Sequence, residues 1–204
     1  MPAQKALLAP VARALVARGA TADRISVAGL VLGILAFVCL ALGWFGSALV
    51  FVAANRLADG LDGAVADIRG PTDRGAFVDI AFDFVFYALV PLGFAVADPT
   101  ANALPAAVLV TAFVGTGSSF LAFATIAAKR GLVAETRPAK GIYYLGGLTE
   151  GTETIATFVL MCLWPSYFPW FAAIYAGLCT VTTLTRWRQG WVSFTSDGAD
   201  AQKR

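Results

Sequence analysis

The residues equipped for chemistry are gathered in one stretch, Asn55 to Asp83, which reads NRLADGLDGAVADIRGPTDRGAFVDIAFD. Asp59, Asp62, Asp79 and Asp83 stand here between long apolar segments that otherwise carry almost no charge. In helical geometry Asp59, Asp62, Gly63 and Ala66 fall at i, i+3, i+4 and i+7 and share one face. Asp79 and Asp83, one turn apart, share a face of the next segment. Ionised carboxylates beside hydrocarbon must be paired, protonated or bound to metal. Hard oxygen donors suit Mg2+ or Mn2+, which keep several waters and take phosphate oxygens as remaining ligands. The cluster therefore predicts a divalent-metal cofactor and a phosphate-bearing substrate. The plainer alternative is that these acids cap helices or pair with Arg56, Arg69 and Arg74.

The elements that must position these acids are membrane helices. Of 204 residues, 58% are hydrophobic and only 14% charged, with a mean hydropathy of +0.73, a balance typical of integral membrane proteins. A bilayer crossing takes about 20 apolar residues, and six candidates occur near 24–44, 46–66, 75–96, 103–128, 141–163 and 167–186. A cytoplasmic N-terminus puts all 15 Lys and Arg on or near the cytoplasmic side, while the outer loops hold only Asp98. The expected fold is all-α: residues 2–18 as an amphipathic surface helix, 24–186 as a six-helix bundle and 187–204 as a cytoplasmic tail, together one membrane domain. The expected location is a bacterial inner membrane, with both termini and the acidic cluster facing the cytoplasm.

Other features narrow the chemistry. The chain has no histidine, which excludes His-based triads and His-bound zinc. Cys39, Cys162 and Cys179 lie in candidate spans without metal-ligand spacing and read as packing residues. No cleavable signal peptide is expected, because the first apolar span begins late and runs too long. Gly19 followed by Thr21 and Asp23 predicts a stop and then an N-cap for the first span. Gly29 and Gly33, and Gly115, Gly117, Ser118 and Ser119, predict close helix packing. Gly63, Ala66 and Gly75 are small enough to admit a bulky ligand near the backbone or to serve helix packing. Glu150 and Glu153 open the fifth span. They could orient an acceptor or support the metal site, or equally bond neighbouring threonines or form a dimer contact. Lys129, Arg137 and Lys140 could bind an acceptor phosphate or simply anchor spans.

The motif resembles that of the CDP-alcohol phosphotransferase family: Asp, two residues, Asp-Gly, two residues, Ala-Arg, a spacer, Gly, three residues, Asp, three residues and Asp. Asp59, Asp62-Gly63, Ala66, Gly75, Asp79 and Asp83 match in order. Asp67 replaces the family's Arg, and the spacer to Gly75 is seven residues where eight are usual. The resemblance implies transfer of a substituted phosphoryl group from a CDP-alcohol donor such as CDP-diacylglycerol to an alcohol acceptor, releasing CMP. It implies two metal ions held by Asp59, Asp62 and Asp79, with Asp83 as a further ligand or general base. Gly63, Ala66 and Gly75 would then line the nucleotide pocket, and Arg74, Arg56 or Arg69 would supply the charge absent at Asp67. It also suggests a homodimer amid membrane lipid. The competing readings are a catalytically impaired binding relative, an intramembrane prenyltransferase and a non-enzymatic carrier. The acceptor alcohol is left open.

Overall fold

A computed structural model describes residues 2–131 and 149–195, and within them the chain is entirely helical. The helices are α1 (Pro2–Ala17), α2 (Ala22–Ala41), α3 (Phe45–Arg69), α4 (Asp73–Ala97), α5 (Pro99–Lys129), α6 (Gly151–Leu163) and α7 (Phe168–Thr195), with a 3-10 turn at Pro165–Tyr167 before α7. Four segments are long and apolar enough to cross a membrane: Ala22–Ala41, Asp73–Ala97, Pro99–Lys129 and Pro165–Phe194. Large apolar side chains such as Val27, Val31 and Ile34 on α2, Leu104 and Val114 on α5, and Ile174 and Val181 on α7 are exposed. Contiguous apolar surface of this extent suits lipid rather than water. The chain is thus an all-helical membrane protein.

Helices α2 to α7 occur where the six spans are expected. Two of them fall short of a crossing on their own composition: α3 carries Arg56, Asp59, Asp62, Asp67 and Arg69, and α6 shows 13 residues. The part of the fifth candidate at 141–148, with Arg137 and Lys140, lies outside the described residues. The tail begins later than expected, because α7 continues past Arg186 to Thr195. Arg186 is buried and donates from Nη1 to the Thr116 carbonyl at 3.1 Å, so it ties α7 to α5 within the bundle instead of marking its edge. The first span starts as its sequence suggests, with Thr21 Oγ1 accepting from the Arg24 amide at 3.4 Å.

The acidic motif is folded at its middle. Gly70, at φ +96°, takes a conformation that side chains disfavour and ends α3, its amide donating to the Ala66 carbonyl at 2.9 Å. Pro71 cannot extend a helix ladder, and Thr72 then caps α4 by accepting from the Gly75 amide at 3.0 Å. Ten residues separate Asp59 from the end of α3, and ten separate Asp83 from the start of α4. At 1.5 Å per residue both stand about 15 Å from the turn. Helix α2 packs along both α3 and α4, whereas the backbones of those two stay apart and the helices meet through side chains. The gap between them, floored by α2, holds the site.

Away from the turn the bundle is closed by rings. Phe94 on α4 stacks on Phe168 at 4.4 Å and on Phe45 of α3 at 5.5 Å between centroids. Phe86 meets Phe158 of α6 edge-on at 6.0 Å. All three cysteines are buried and unbridged, as packing residues would be. Close approach depends on glycine: a Cβ at Gly33 would stand 2.9 Å from Phe86 Cδ2, one at Gly117 2.2 Å from Phe84 Cε1, and one at Gly93 2.6 Å from Leu40 Cβ. Gly93→Ala should therefore separate α2 from α4 and cost about 1–3 kcal/mol by overpacking. Gly177→Ala, whose Cβ meets nothing within 4 Å, should leave the thermal midpoint in detergent nearly unchanged. Equal midpoints for the two variants would refute this packing.

Candidate metal centre

Equal arm lengths on either side of the turn bring carboxylates from α3 and α4 to one level. One oxygen from each of Asp59, Asp79 and Asp83 lies within 4.8 Å of the others. They border an open cleft whose floor is Ser26, Gly29 and Leu30 of α2 and whose walls include Asn55, Arg56, Asp62 and Phe82. Oxygens sharing one Mg2+ stand about 3–4 Å apart, so the three would have to close further on an ion to share it. The donor set and spacing fit a hard divalent cation. Charge argues the same way: when ionised, the four carboxylates bordering the cleft against the one guanidinium of Arg56 leave a net of −3.

Asp62 stands apart from the other three. It is buried, and its Oδ2 accepts the Ser26 hydroxyl at 2.6 Å, so α2 fixes its orientation within the same cleft. A hydrogen bond to an ionised oxygen is among the stronger neutral-donor contacts.

Arg56 is the cation the fold brings to these acids. Its Nη2 donates to Asp83 Oδ1 at 2.8 Å, and its Nη1 lies 3.8 Å from Asp59 Oδ2. Its Nε donates to Asn55 Oδ1 at 2.8 Å, and Asn55 Nδ2 donates to the Gly29 carbonyl at 2.8 Å, which anchors the guanidinium to the backbone of α2. The same group lies over Phe86 at 4.7 Å and Tyr87 at 5.8 Å, both on α4.

The other sequence candidates sit elsewhere. Arg74 is 80% exposed and pairs with Asp23, a contact that water screens heavily. Arg69 donates to the Val16 carbonyl at 3.4 Å and so holds α1 against α3. Gly63 is exposed with open space around it, Ala66 is half-buried, and a Cβ at Gly75 would lie 3.1 Å from Thr72 Oγ1 in the cap of α4. These three, like Arg74 and the exposed Asp67, are not among the residues bordering the cleft. Glu153 accepts the Glu150 amide at 3.1 Å and caps α6, while Thr154 bonds the Glu150 carbonyl at 2.9 Å and the Tyr175 hydroxyl at 2.7 Å. Gly115 packs on Thr183, and Ser118 and Ser119 return their hydroxyls to carbonyls of their own helix. Ser26 and Asn55 are the site residues that sequence reasoning missed. Both are common polar residues whose partners lie 36 and 26 positions away, so only the folded chain reveals them.

Comparison with known proteins agrees with this geometry. Residues 20–187 match the family model for CDP-alcohol phosphatidyltransferase. The chain is 52% identical over 195 residues to the inner membrane protein YnjF of Escherichia coli (strain K12), covering 96% of this chain and 95% of that one. Its fold is similar to crystal structures of the Mycobacterium tuberculosis phosphatidylinositol phosphate synthase. The form with CDP-DAG bound aligns at a TM-score of 0.69 with 23% identity, covering 94% of this chain and 96% of that one. The form in complex with manganese and citrate aligns at 0.71 with 22% identity, over 94% and 91%. With the family model spanning the helices that carry the aspartates, and a relative more than half identical along nearly its whole length, this chain belongs to the CDP-alcohol phosphatidyltransferase family.

Proposed function

We propose that this protein transfers a phosphatidyl group from a CDP-alcohol, CDP-diacylglycerol being the best-supported donor, to an alcohol acceptor in phospholipid synthesis, releasing CMP. The observation that carries this reading is the convergence of Asp59, Asp79 and Asp83 from two helices on one cleft, in a chain of this family. Two structures of one protein of the same fold, one described with CDP-DAG and one with manganese, support the choice of donor and of Mg2+ or Mn2+. Family membership favours this over prenyl transfer or a carrier.

In this reading Asp59, Asp79 and Asp83 hold the ions, and Asp62 joins them with Ser26 setting its orientation. When bound, two divalent ions would neutralise the diphosphate and stabilise the departing CMP oxygen. Asp83 accepts the proton of the acceptor hydroxyl, a role that demands placement within hydrogen-bond reach more than an unusual acidity. Of the three arginines weighed for the charge absent at Asp67, Arg56 borders the cleft, while Arg69 and Arg74 are engaged elsewhere. Gly63, Ala66, Gly75 and Arg74 would contribute to nucleotide binding only nearer the α3–α4 turn. We further take the chain as one membrane domain in which α2 to α7 cross six times, α1 lies along the cytoplasmic surface, and both termini and the cleft face the cytoplasm. A homodimer is compatible with its small-residue faces.

Purified protein given CDP-diacylglycerol and a panel of alcohols should release CMP only with Mg2+ or Mn2+ present, and metal-independent release would sink the proposal. Asp83→Asn should lower CMP release by roughly 10²–10⁴-fold while weakening Mn2+ binding far less, and a fully active variant would remove Asp83 as the base. Ser26→Ala strips the buried Asp62 of its α2 partner and should lower stability by about 1–3 kcal/mol, read as a drop in thermal midpoint without added metal.

A further inference from the structure

Arg56 occupies a place the metal also needs. Its guanidinium contacts Asp83 and approaches Asp59, two of the three carboxylates whose oxygens gather within 4.8 Å. An arginine cannot relieve the conflict by losing its proton. A dication arriving at the same carboxylates meets a fixed positive charge at close range, where the low dielectric magnifies repulsion. One of the two must yield. The guanidinium can, because its other anchors need no carboxylate: Nε bonds Asn55, and its face rests near the rings of Phe86 and Tyr87.

We propose that Arg56 is a tethered counter-ion that bridges α3 to α4 through Asp83 in the metal-free protein and gives up Asp83 when a divalent ion binds. It is a positioning residue that keeps the carboxylates assembled and sets the affinity of the site for metal. The bridge matters because the backbones of α3 and α4 stay apart, so side chains must span the gap between them. Without a cation between them the acids would repel and the gap would widen. Arg56 therefore trades metal affinity for a site already in shape when the ion arrives. This inference rests on the proposal that Asp59, Asp79 and Asp83 hold metal.

The test is Mn2+ binding to the full chain in lipid nanodiscs at low ionic strength without substrate, followed by loss of the free-ion electron paramagnetic resonance signal. Arg56→Gln should bind Mn2+ on the order of tenfold more tightly than wild type, and Arg56→Lys, which keeps the charge, within about threefold of it. Without ions the Gln variant should melt below wild type, and saturating Mn2+ should narrow the difference. A folded Gln variant with unchanged or weaker Mn2+ affinity overturns the inference alone. Wild type that binds no Mn2+ overturns the metal reading beneath it. If the Gln variant fails to fold, wild type decides: the Arg56 Nε–H resonance, assigned by its loss in Arg56→Lys, should move on Mg2+ titration. A resonance that stays put at saturation overturns the inference.

Discussion

Negative charge placed beside hydrocarbon is the constraint on which the rest of this structure turns. A carboxylate removed from water is tolerated only with compensation close by, and the fold provides it at the cleft. Asp62 has the Ser26 hydroxyl, and Asp83 and Asp59 have the Arg56 guanidinium. Four acids against one cation still leave an excess that suits divalent ions, so the demand for compensation and the proposed grip on a diphosphate through metal fall on the same residues.

The backbone that meets this constraint is simple. A three-residue connection, Gly70 to Thr72, joins two helices of 25 residues, and equal distances from that turn bring acids on different helices to the same height. Helix α2 contributes no acid to the cleft, yet it supplies the floor, the Ser26 hydroxyl and the Gly29 carbonyl that positions Asn55. Gly29 of α2, where a Cβ would stand 3.5 Å from Ala58 of α3, lets these two helices approach closely enough for such short polar contacts, which links helix packing to the geometry of the site.

Much of this was legible in the sequence because helical periodicity is local. The spacing of Asp59, Asp79 and Asp83 and the turn between them suffice to bring the three together, and the apolar segments announce the helices around them. What escaped was tertiary. Asp62 shares a helical face with Asp59 by spacing, yet its carboxylate is drawn to Ser26 across the α2–α3 contact. Arg74 lies near the acids in sequence but at the first turn of α4, where Asp23 is within reach and the cleft is not. Arg56 looked like one of three equivalent cations until the fold set it over two aromatic rings. The extra length of α7 was hidden because Trp187, Arg188 and Trp191 have the mixed character of an interface, which a helix can run through as readily as it can end in.

The ring stack of Phe45, Phe94 and Phe168 carries a mechanical consequence. It fastens α3, α4 and α7 to one another about 16–21 Å along the helices from the acids, while at the acids the Arg56 side chain reaches from α3 to Asp83 on α4. Two rods held at both ends, by the rings on one side and by the Gly70–Thr72 connection on the other, can part only by bowing between those ends. The opening at mid-length is then the part of the pair most responsive to positive charge placed between the acids.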